Sequence, residues 1–228
     1  MIALVDYGMG NLRSVEKALT RVGGDVRIVS SPAEVLAADA LVLPGVGAFG
    51  DCMKNLARLD LITPVREFIA SQRPFLGICL GFQGLFETSE EAPGIAGLNI
   101  FSGSVPHFPS GHVAAGFTPA SDQGNAPVKG AATGSALKVP HMGWNQIRIR
   151  QPDCPLLAGV PDESYVYFVH SYYCKPAQPS IVCTTTGYGL DFCSMIWVGN
   201  VFATQFHPEK SQAVGLKMLE NFVKMVNG

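Results

Sequence analysis

Apolar and polar positions change their period halfway along this chain. In the first half, short apolar runs of strand length alternate with segments whose apolar residues recur every three or four positions, the order expected of a parallel sheet with crossover helices. Residues 2–5, 25–29, 41–43 and 75–78 read as strands, and residues 11–22, 33–37, 52–56 and 61–71 read as helices between them. In the second half, alternation of β-branched and aromatic residues takes over at 146–150, 165–170 and 181–186, which predicts antiparallel or mixed strands around the parallel core. Residues 211–226 are amphipathic and close the chain as a helix. The expectation is an α/β fold with a central, mostly parallel sheet, flanking helices and added antiparallel strands, in one domain spanning residues 1–228.

One stretch breaks the pattern. Residues 109–136 consist mainly of Gly, Ala, Ser, Pro, Asn and Thr, with one Lys and one Asp. Such a composition buries little and has no period, so it reads as a flexible surface insertion. His107 and His112, beside and within it, read as solvated loop histidines without a role.

Ligands of open α/β sheets collect at the carboxyl ends of the strands. Residues 6–11, the loop at Gly45 and Cys79 all fall there. Gly77-Ile78-Cys79-Leu80-Gly81 has the form of a nucleophile elbow, in which small flanking residues let a strand turn sharply into a helix and push the middle side chain out. The strand would end at Ile78 and the helix run over 80–87, so that its dipole and free N–H groups favour a thiolate at Cys79. Phe206-His207-Pro208-Glu209-Lys210 supplies the second part. Pro208 disfavours helix at His207, and residues two apart on an extended segment point to one side. Glu209 then accepts from one imidazole nitrogen of His207 while the other faces the cysteine. The expected triad is Cys79, His207 and Glu209. A lone buried cysteine is usually inert, so it is the joint appearance of both motifs that points to a cysteine hydrolase.

Composition narrows the partners. Net charge is −2, with Lys and Arg dispersed, which leaves no basic stripe for nucleic acid. Six cysteines (52, 79, 154, 174, 183 and 193) lack metal-site spacing and read as reduced, in a cytosolic protein without a secretory leader. Residues 1–5 are apolar but too short to span a bilayer.

Beyond these motifs, the chain resembles the class I (triad) glutamine amidotransferases, on GICLG followed by Phe82-Gln83 and on FHPEKS downstream. Phe82 stands where that family usually has methionine, a change of core filling. Further blocks are similar to the glutaminase subunits of imidazole glycerol phosphate synthase: Tyr7-Gly8-Met9-Gly10-Asn11, Pro44-Gly45-Val46-Gly47-Ala48-Phe49, Pro140-His141-Met142-Gly143-Trp144-Asn145 and Tyr167-Phe168-Val169-His170-Ser171-Tyr172. The resemblance covers nearly the whole chain apart from about 107–136. It implies a flavodoxin-like fold and hydrolysis of glutamine to glutamate and ammonia through a Cys79 thioester, without metal or organic cofactor. It also implies a heterodimer with a (β/α)8-barrel cyclase subunit that uses the ammonia to make imidazole glycerol phosphate and aminoimidazole carboxamide ribotide in histidine biosynthesis. The block at 140–144 argues against amidotransferases of other synthases, such as that of the pyridoxal phosphate pathway. A lone hydrolase would turn over without a partner.

Residue roles follow from the motifs and the resemblance together. The tetrahedral oxyanion needs two preorganised donors. The Leu80 N–H, next after the nucleophile, is the first, and the Val46 N–H, between two glycines that let the peptide rotate, is the second. The expectation is that Val46 turns inward only when partner and ligand are bound. By resemblance, Gln83, Glu91 and the backbone of Gly47, Ser171 and Tyr172 hold the substrate. Asn11, Trp144, Tyr167 and Lys210 would face the cyclase, with Lys210 opposite an acidic group. Read from residue type alone, Asn11 is also a helix cap, Trp144 and Tyr167 are core aromatics and Lys210 is an exposed charge.

Overall fold

The computed structural model describes residues 1–109 and 137–228. The expected insertion at 109–136, with His112, therefore lies almost wholly outside the described residues. Along the first half run β1 (Ile2–Val5), α1 (Leu12–Arg21), β2 (Val26–Val29), α2 (Pro32–Ala37), β3 (Ala40–Leu43), α3 (Phe49–Arg58), α4 (Ile62–Ala70), β4 (Phe75–Ile78) and α5 (Leu80–Gln83). There follow β5 (Thr88–Ser89), β6 (Gly103–Val105), β7 (His141–Gln146), β8 (Arg148–Ile149), β9 (Tyr165–His170), β10 (Lys175–Pro176), β11 (Val182–Gly187), β12 (Asp191–Val198), β13 (Val201–Thr204) and α6 (Gln212–Asn227).

The main sheet has the order β2-β1-β3-β4-β13-β12-β11-β8. Strands β2, β1, β3, β4 and β13 are parallel, and β12, β11 and β8 continue the sheet antiparallel. β1, β3, β4 and β13 are buried at every residue, because helices cover both faces, as a parallel sheet requires. Alternate side chains divide between the two layers. Ala3, Val5, Leu41, Leu43 and Phe75 pack with Val35, Leu56 and Phe68 of α2, α3 and α4. Ile2, Leu4, Val42, Leu76 and Ile78 pack with Leu19 of α1 and Leu219 and Phe222 of α6. Each such large side chain contributes about 1.5–3 kcal/mol by leaving water.

Most boundaries follow the sequence pattern, and the departures have identifiable causes. α2 starts at a capping box in which Ser31 accepts from the Glu34 N–H and Glu34 returns a bond to the Ser31 N–H. α3 is longer than 52–56 because its first N–H groups find a distant cap: the Phe49 N–H donates to Glu91 Oε2 at 2.8 Å. The helix expected over 80–87 ends at Gln83, since Leu98, Ile100 and Phe101 N–H groups claim the Gly84 and Leu85 carbonyls. The strand expected over 146–150 is divided. Residues up to Gln146 pair with β9 in a separate two-stranded sheet, and Arg148–Ile149 pair with β11 in the main one. β12 and β13 were not expected from the pattern, and β13 is central.

The glycines of the Cys79 turn are fixed by lack of space. A side chain on Gly81 would overlap the Leu43 carbonyl, and one on Gly77 would lie 2.7 Å from the Gly81 oxygen. Gly81→Ala is therefore expected to destabilise the chain by about 3 kcal/mol, the upper range for overpacking, as measured by urea unfolding. Gly94→Ala, where a methyl meets nothing within 4 Å, tests the same change in open space and should cost about 1 kcal/mol, for its positive φ alone.

Candidate active site

Cys79 stands between β4 and α5 with φ 55° and ψ −104°. A non-glycine residue with positive φ costs of order 1–3 kcal/mol and persists only where its surroundings enforce it. Here the Cys79 N–H donates to the Thr204 carbonyl at 2.8 Å, while the Cys79 carbonyl accepts from the Phe82 and Gln83 N–H groups, each at 3.0 Å. Thr204 belongs to β13, so the strand that carries His207 also fixes the turn of Cys79.

His207 leaves β13 in an extended conformation, φ −99° and ψ 97°, and a 3₁₀ turn over Pro208–Lys210 begins directly after it. The segment is thus not extended through Glu209 as expected from the sequence, yet the two side chains meet: His207 Nδ1 lies 2.8 Å from Glu209 Oε1. Both side chains are 2 % exposed. Burial pulls the imidazole down, but its interactions with Cys79 and Glu209 more than offset this and push His207 up to about 10. Nε2 of His207 is buried without a hydrogen-bond partner among the described residues. That is the nitrogen turned away from Glu209, and catalytic hydrogen bonds commonly close only around substrate.

Beside Cys79 opens a cavity of about 250 Å³. Its wall includes Val46, Gly47, Leu80, Gln83, Glu91, His170, Ser171 and Tyr172. All five residues expected to hold substrate thus line one space. Glu91 is fixed there by its bond from Phe49 N–H and by its own N–H to Ser89 Oγ at 3.2 Å.

The two expected oxyanion donors are not both available. The Leu80 N–H points to the Gly45 carbonyl oxygen, 3.4 Å away. In a trans peptide C=O and N–H point in opposite directions. With the Gly45 oxygen turned towards Leu80, the Val46 N–H of the same peptide points away from it. The contact is at the long end of hydrogen-bond length and is cheaply surrendered. Tyr7, fully buried, anchors the loop just before this peptide by donating to the Pro44 carbonyl at 2.7 Å. At Gly47, φ is +108° and a side chain would come within 2.7 Å of the Met9 methyl.

At the cavity wall, two buried imidazoles form a chain of bonds with one direction. The Tyr172 carbonyl only accepts, so His170 Nδ1, 2.7 Å away, carries a proton. His170 Nε2 is then the acceptor for His141 Nδ1 at 2.9 Å, and His141 Nε2 accepts from Asn145 Nδ2 at 3.1 Å. Both rings are neutral in this arrangement. Burial, and then the neighbouring imidazole, pulls His141 down to about 2, and burial pulls His170 down to about 3. His107, without a role from sequence, packs edge-on against the Tyr172 ring at 4.9 Å and braces the same segment. Nothing in the residue pattern singles out His141, His170 or Gln205, which approaches Cys79 with a side-chain nitrogen 3.8 Å from Sγ. The available signal was a polar residue at a core position of a strand end.

The residues expected to face a partner lie apart from the cavity. Trp144 and Tyr167, paired across β7 and β9, meet edge-on at 6.0 Å. Lys210 Nζ lies 5.9 Å from the centre of the Tyr167 ring. Both aromatics are half-buried, not core residues. Asn11 occupies the cap position of α1 but makes no side-chain cap bond and is exposed. The Tyr167 backbone also clasps the triad segment: its carbonyl accepts from His207 N–H at 2.9 Å, and its N–H donates to Ser211 Oγ at 3.0 Å.

Among the described residues, no group of three or more His, Cys, Asp or Glu is arranged to hold a metal ion, and no helix is long and apolar enough to cross a membrane. All six cysteines are buried and unpaired. Burial pushes Cys52 up to about 11 and raises Cys174 and Cys193. Hydrogen bonding between Cys154 and Cys183 lowers the first and raises the second.

A strand-end cysteine on a strained turn, with a buried His–Glu pair beside it and a small cavity in front, is the arrangement a cysteine hydrolase of α/β fold requires. The chain belongs to the class-I glutamine amidotransferase family, whose model matches residues 3–226. It is 50% identical over 225 residues to imidazole glycerol phosphate synthase subunit HisH of Syntrophotalea carbinolica, covering 99% of this chain and 100% of that protein. It is 48% identical over 222 residues to the protein of the same name from Geobacter metallireducens, covering 97% and 96%. A solved glutamine amidotransferase superposes over 100% of both chains with a TM-score of 0.69 at 15% identity, a likeness of fold alone.

The two imidazoles and His207 move stability in opposite pH ranges. Depressed histidines contribute stability that is complete above the unfolded value of about 6.5 and is lost as pH falls from there towards their folded values. A raised histidine contributes stability present below about 6.5 and lost as pH rises through its folded value, which for His207 is about 10. The unfolding free energy is expected to fall between pH 6 and 4 by up to about 1.4 kcal/mol per pH unit for each depressed histidine. His141→Gln should flatten this acid limb when urea unfolding is followed against pH.

Proposed function

We propose that the chain is the glutaminase half of an imidazole glycerol phosphate synthase, acting in histidine biosynthesis in the cytoplasm. The observation that carries the chemistry is the placement of Cys79, a buried His207–Glu209 pair and the 250 Å³ cavity at adjoining strand ends. Six unpaired cysteines suit a reducing compartment.

Glutamine enters with its side-chain amide towards Cys79. Glu91 takes the α-ammonium group, and the backbone at Gly47, Ser171 and Tyr172, with Gln83, holds the carboxylate end and the amide. The Cys79 sulfur attacks the amide carbon, a C–S bond forms, and the carbonyl electrons move onto oxygen. His207, an imidazolium at neutral pH by its raised value, gives its proton to the departing nitrogen as the C–N bond breaks. The ring, now neutral and held by Glu209, takes a proton from water, which attacks the thioester. Glutamate leaves and the sulfur regains its electrons.

Ammonia acts as a nucleophile only when unprotonated, so it has to travel sealed from bulk water. A (β/α)8-barrel cyclase docked as a heterodimer on Asn11, Trp144, Tyr167 and Lys210 would take it through its interior, with Lys210 facing an acidic group of the barrel. It would convert the ammonia with its nucleotide substrate to imidazole glycerol phosphate and aminoimidazole carboxamide ribotide. Docking also provides a reason for the turned Gly45–Val46 peptide. Glutaminase without a waiting acceptor wastes glutamine, and a carbonyl facing the oxyanion position suppresses it. Clamping of the Tyr167 backbone on His207 gives the docking face a short mechanical route to the triad.

Glutamate release by the chain is expected to rise by roughly 10²-fold or more when a cyclase subunit and its nucleotide ligand are added, the range for restoring oxyanion donors. Cys79→Ala should abolish release in the complex, and Glu209→Gln should lower kcat by roughly 10²–10⁴-fold. Full activity of the chain alone would instead identify an independent hydrolase.

A further inference from the structure

Gln205 follows directly on β13, has no exposed surface, and has no part in the hydrolysis described above. Its side chain lies between two others: Oε1 is 3.2 Å from Gln83 Nε2, and Nε2 is 3.8 Å from Cys79 Sγ. Which end of the amide faces the sulfur is decided by the bonds around it. The Tyr172 carbonyl accepts and cannot donate, so the Gln83 atom 3.1 Å from it is nitrogen. That nitrogen requires an acceptor on its other side, which turns Oε1 of Gln205 towards Gln83. Nε2 of Gln205 is left for Cys79. Reversing the amide would set two N–H groups against each other and aim an oxygen at the sulfur. The Tyr172 carbonyl is itself held by His170 Nδ1 at 2.7 Å, and His170 by His141, so the orientation rests on a backbone oxygen that is locked from both sides.

We propose that Gln205 is a further catalytic residue, whose Nε2–H is a fixed hydrogen-bond donor to the Cys79 sulfur, and that Gln83 is the positioning residue that keeps this donor turned towards it. The inference rests on Cys79 as the nucleophile of the proposed reaction. A neutral thiol is a weak acceptor and a thiolate a good one, so an N–H held at the sulfur favours the charged form. Full burial denies the amide any alternative in water. The donor is neutral, and its hold on the sulfur is mild enough to be given up as the C–S bond forms. When water has added to the thioester and the C–S bond breaks, the electron pair returns to sulfur, and the same N–H favours the leaving thiolate. Gln205 therefore acts in both half-reactions, and His207 remains the only group that carries the proton.

The test is the pH profile of Cys79 alkylation by iodoacetamide on the full chain, read by peptide mapping in wild type, Gln205→Met, Gln205→Glu and Gln83→Leu. Methionine keeps the volume of glutamine without the donor, and glutamate replaces the donor with an acceptor. The midpoint of the profile is expected to move about one pH unit higher in Gln205→Met, further in Gln205→Glu, and in the same direction by less in Gln83→Leu. Alkylation at pH values below both midpoints should slow about tenfold in Gln205→Met. A purely structural role would lower stability and leave the midpoint in place. An unchanged midpoint in the Gln205 variants, or in Gln83→Leu if those do not fold, overturns the inference. If wild-type Cys79 is not alkylated in preference to the other cysteines, the assignment of the nucleophile fails, and the role of Gln205 fails with it.

Discussion

The first turn of α5 meets the end of β3 at a distance that leaves no room for a side chain, because the Gly81 backbone is pressed on the Leu43 carbonyl. From this approach the rest of the site follows. The chain cannot continue straight and turns at Cys79 into positive φ. The turn is held on its other side by the Thr204 carbonyl of β13, the strand that leads to Gln205 and His207. The same proximity brings the loop after β3 onto the first N–H groups of α5, so that the Gly45 oxygen reaches the Leu80 N–H. Cys79, His207 and the Gly45–Val46 loop are therefore placed by three neighbouring parallel strands, β3, β4 and β13, and need no long-range adjustment to meet.

Three buried histidines near one cavity carry different charge for reasons visible in their partners. His207 faces a carboxylate and a sulfur, and these outweigh its burial. His141 and His170 face each other, a carbonyl and an amide, and every proton in that chain has one possible position. A proton added to either would set donor against donor. Burial alone thus does not determine the state of an imidazole; the acceptors around it do. The result is one histidine that keeps its proton at neutral pH near two neutral rings whose bonds hold the Tyr172 carbonyl in place.

Much of this was legible in the sequence where local rules decide. The apolar runs at 2–5 and 75–78 match β1 and β4 to the residue, and Gly77, Cys79 and Gly81 announce the turn because only small residues permit it. His207 and Glu209 were legible as a pair, although the 3₁₀ turn that brings them together was not, since Pro208 permits both courses. Contacts made across the fold were beyond reach. Glu91 caps α3 from a distance of 42 positions, and Gln205 meets Gln83 across 122. β13 was missed because Thr204 and the following Gln205 interrupt its apolar run before it declares a strand, and β7 because His141–Gln146 carries no alternating apolar pattern.

The central claim is that this site is complete except for one peptide, Gly45–Val46, whose carbonyl stands where an N–H is needed. It is tested most directly by the structure of the chain with its cyclase and a glutamine analogue bearing an aldehyde in place of the amide, trapped as the tetrahedral Cys79 adduct. The account predicts that the peptide has rotated by roughly 180°, with the Val46 and Leu80 N–H groups both on the adduct oxygen. An adduct formed with the Gly45 carbonyl still on the Leu80 N–H would contradict it.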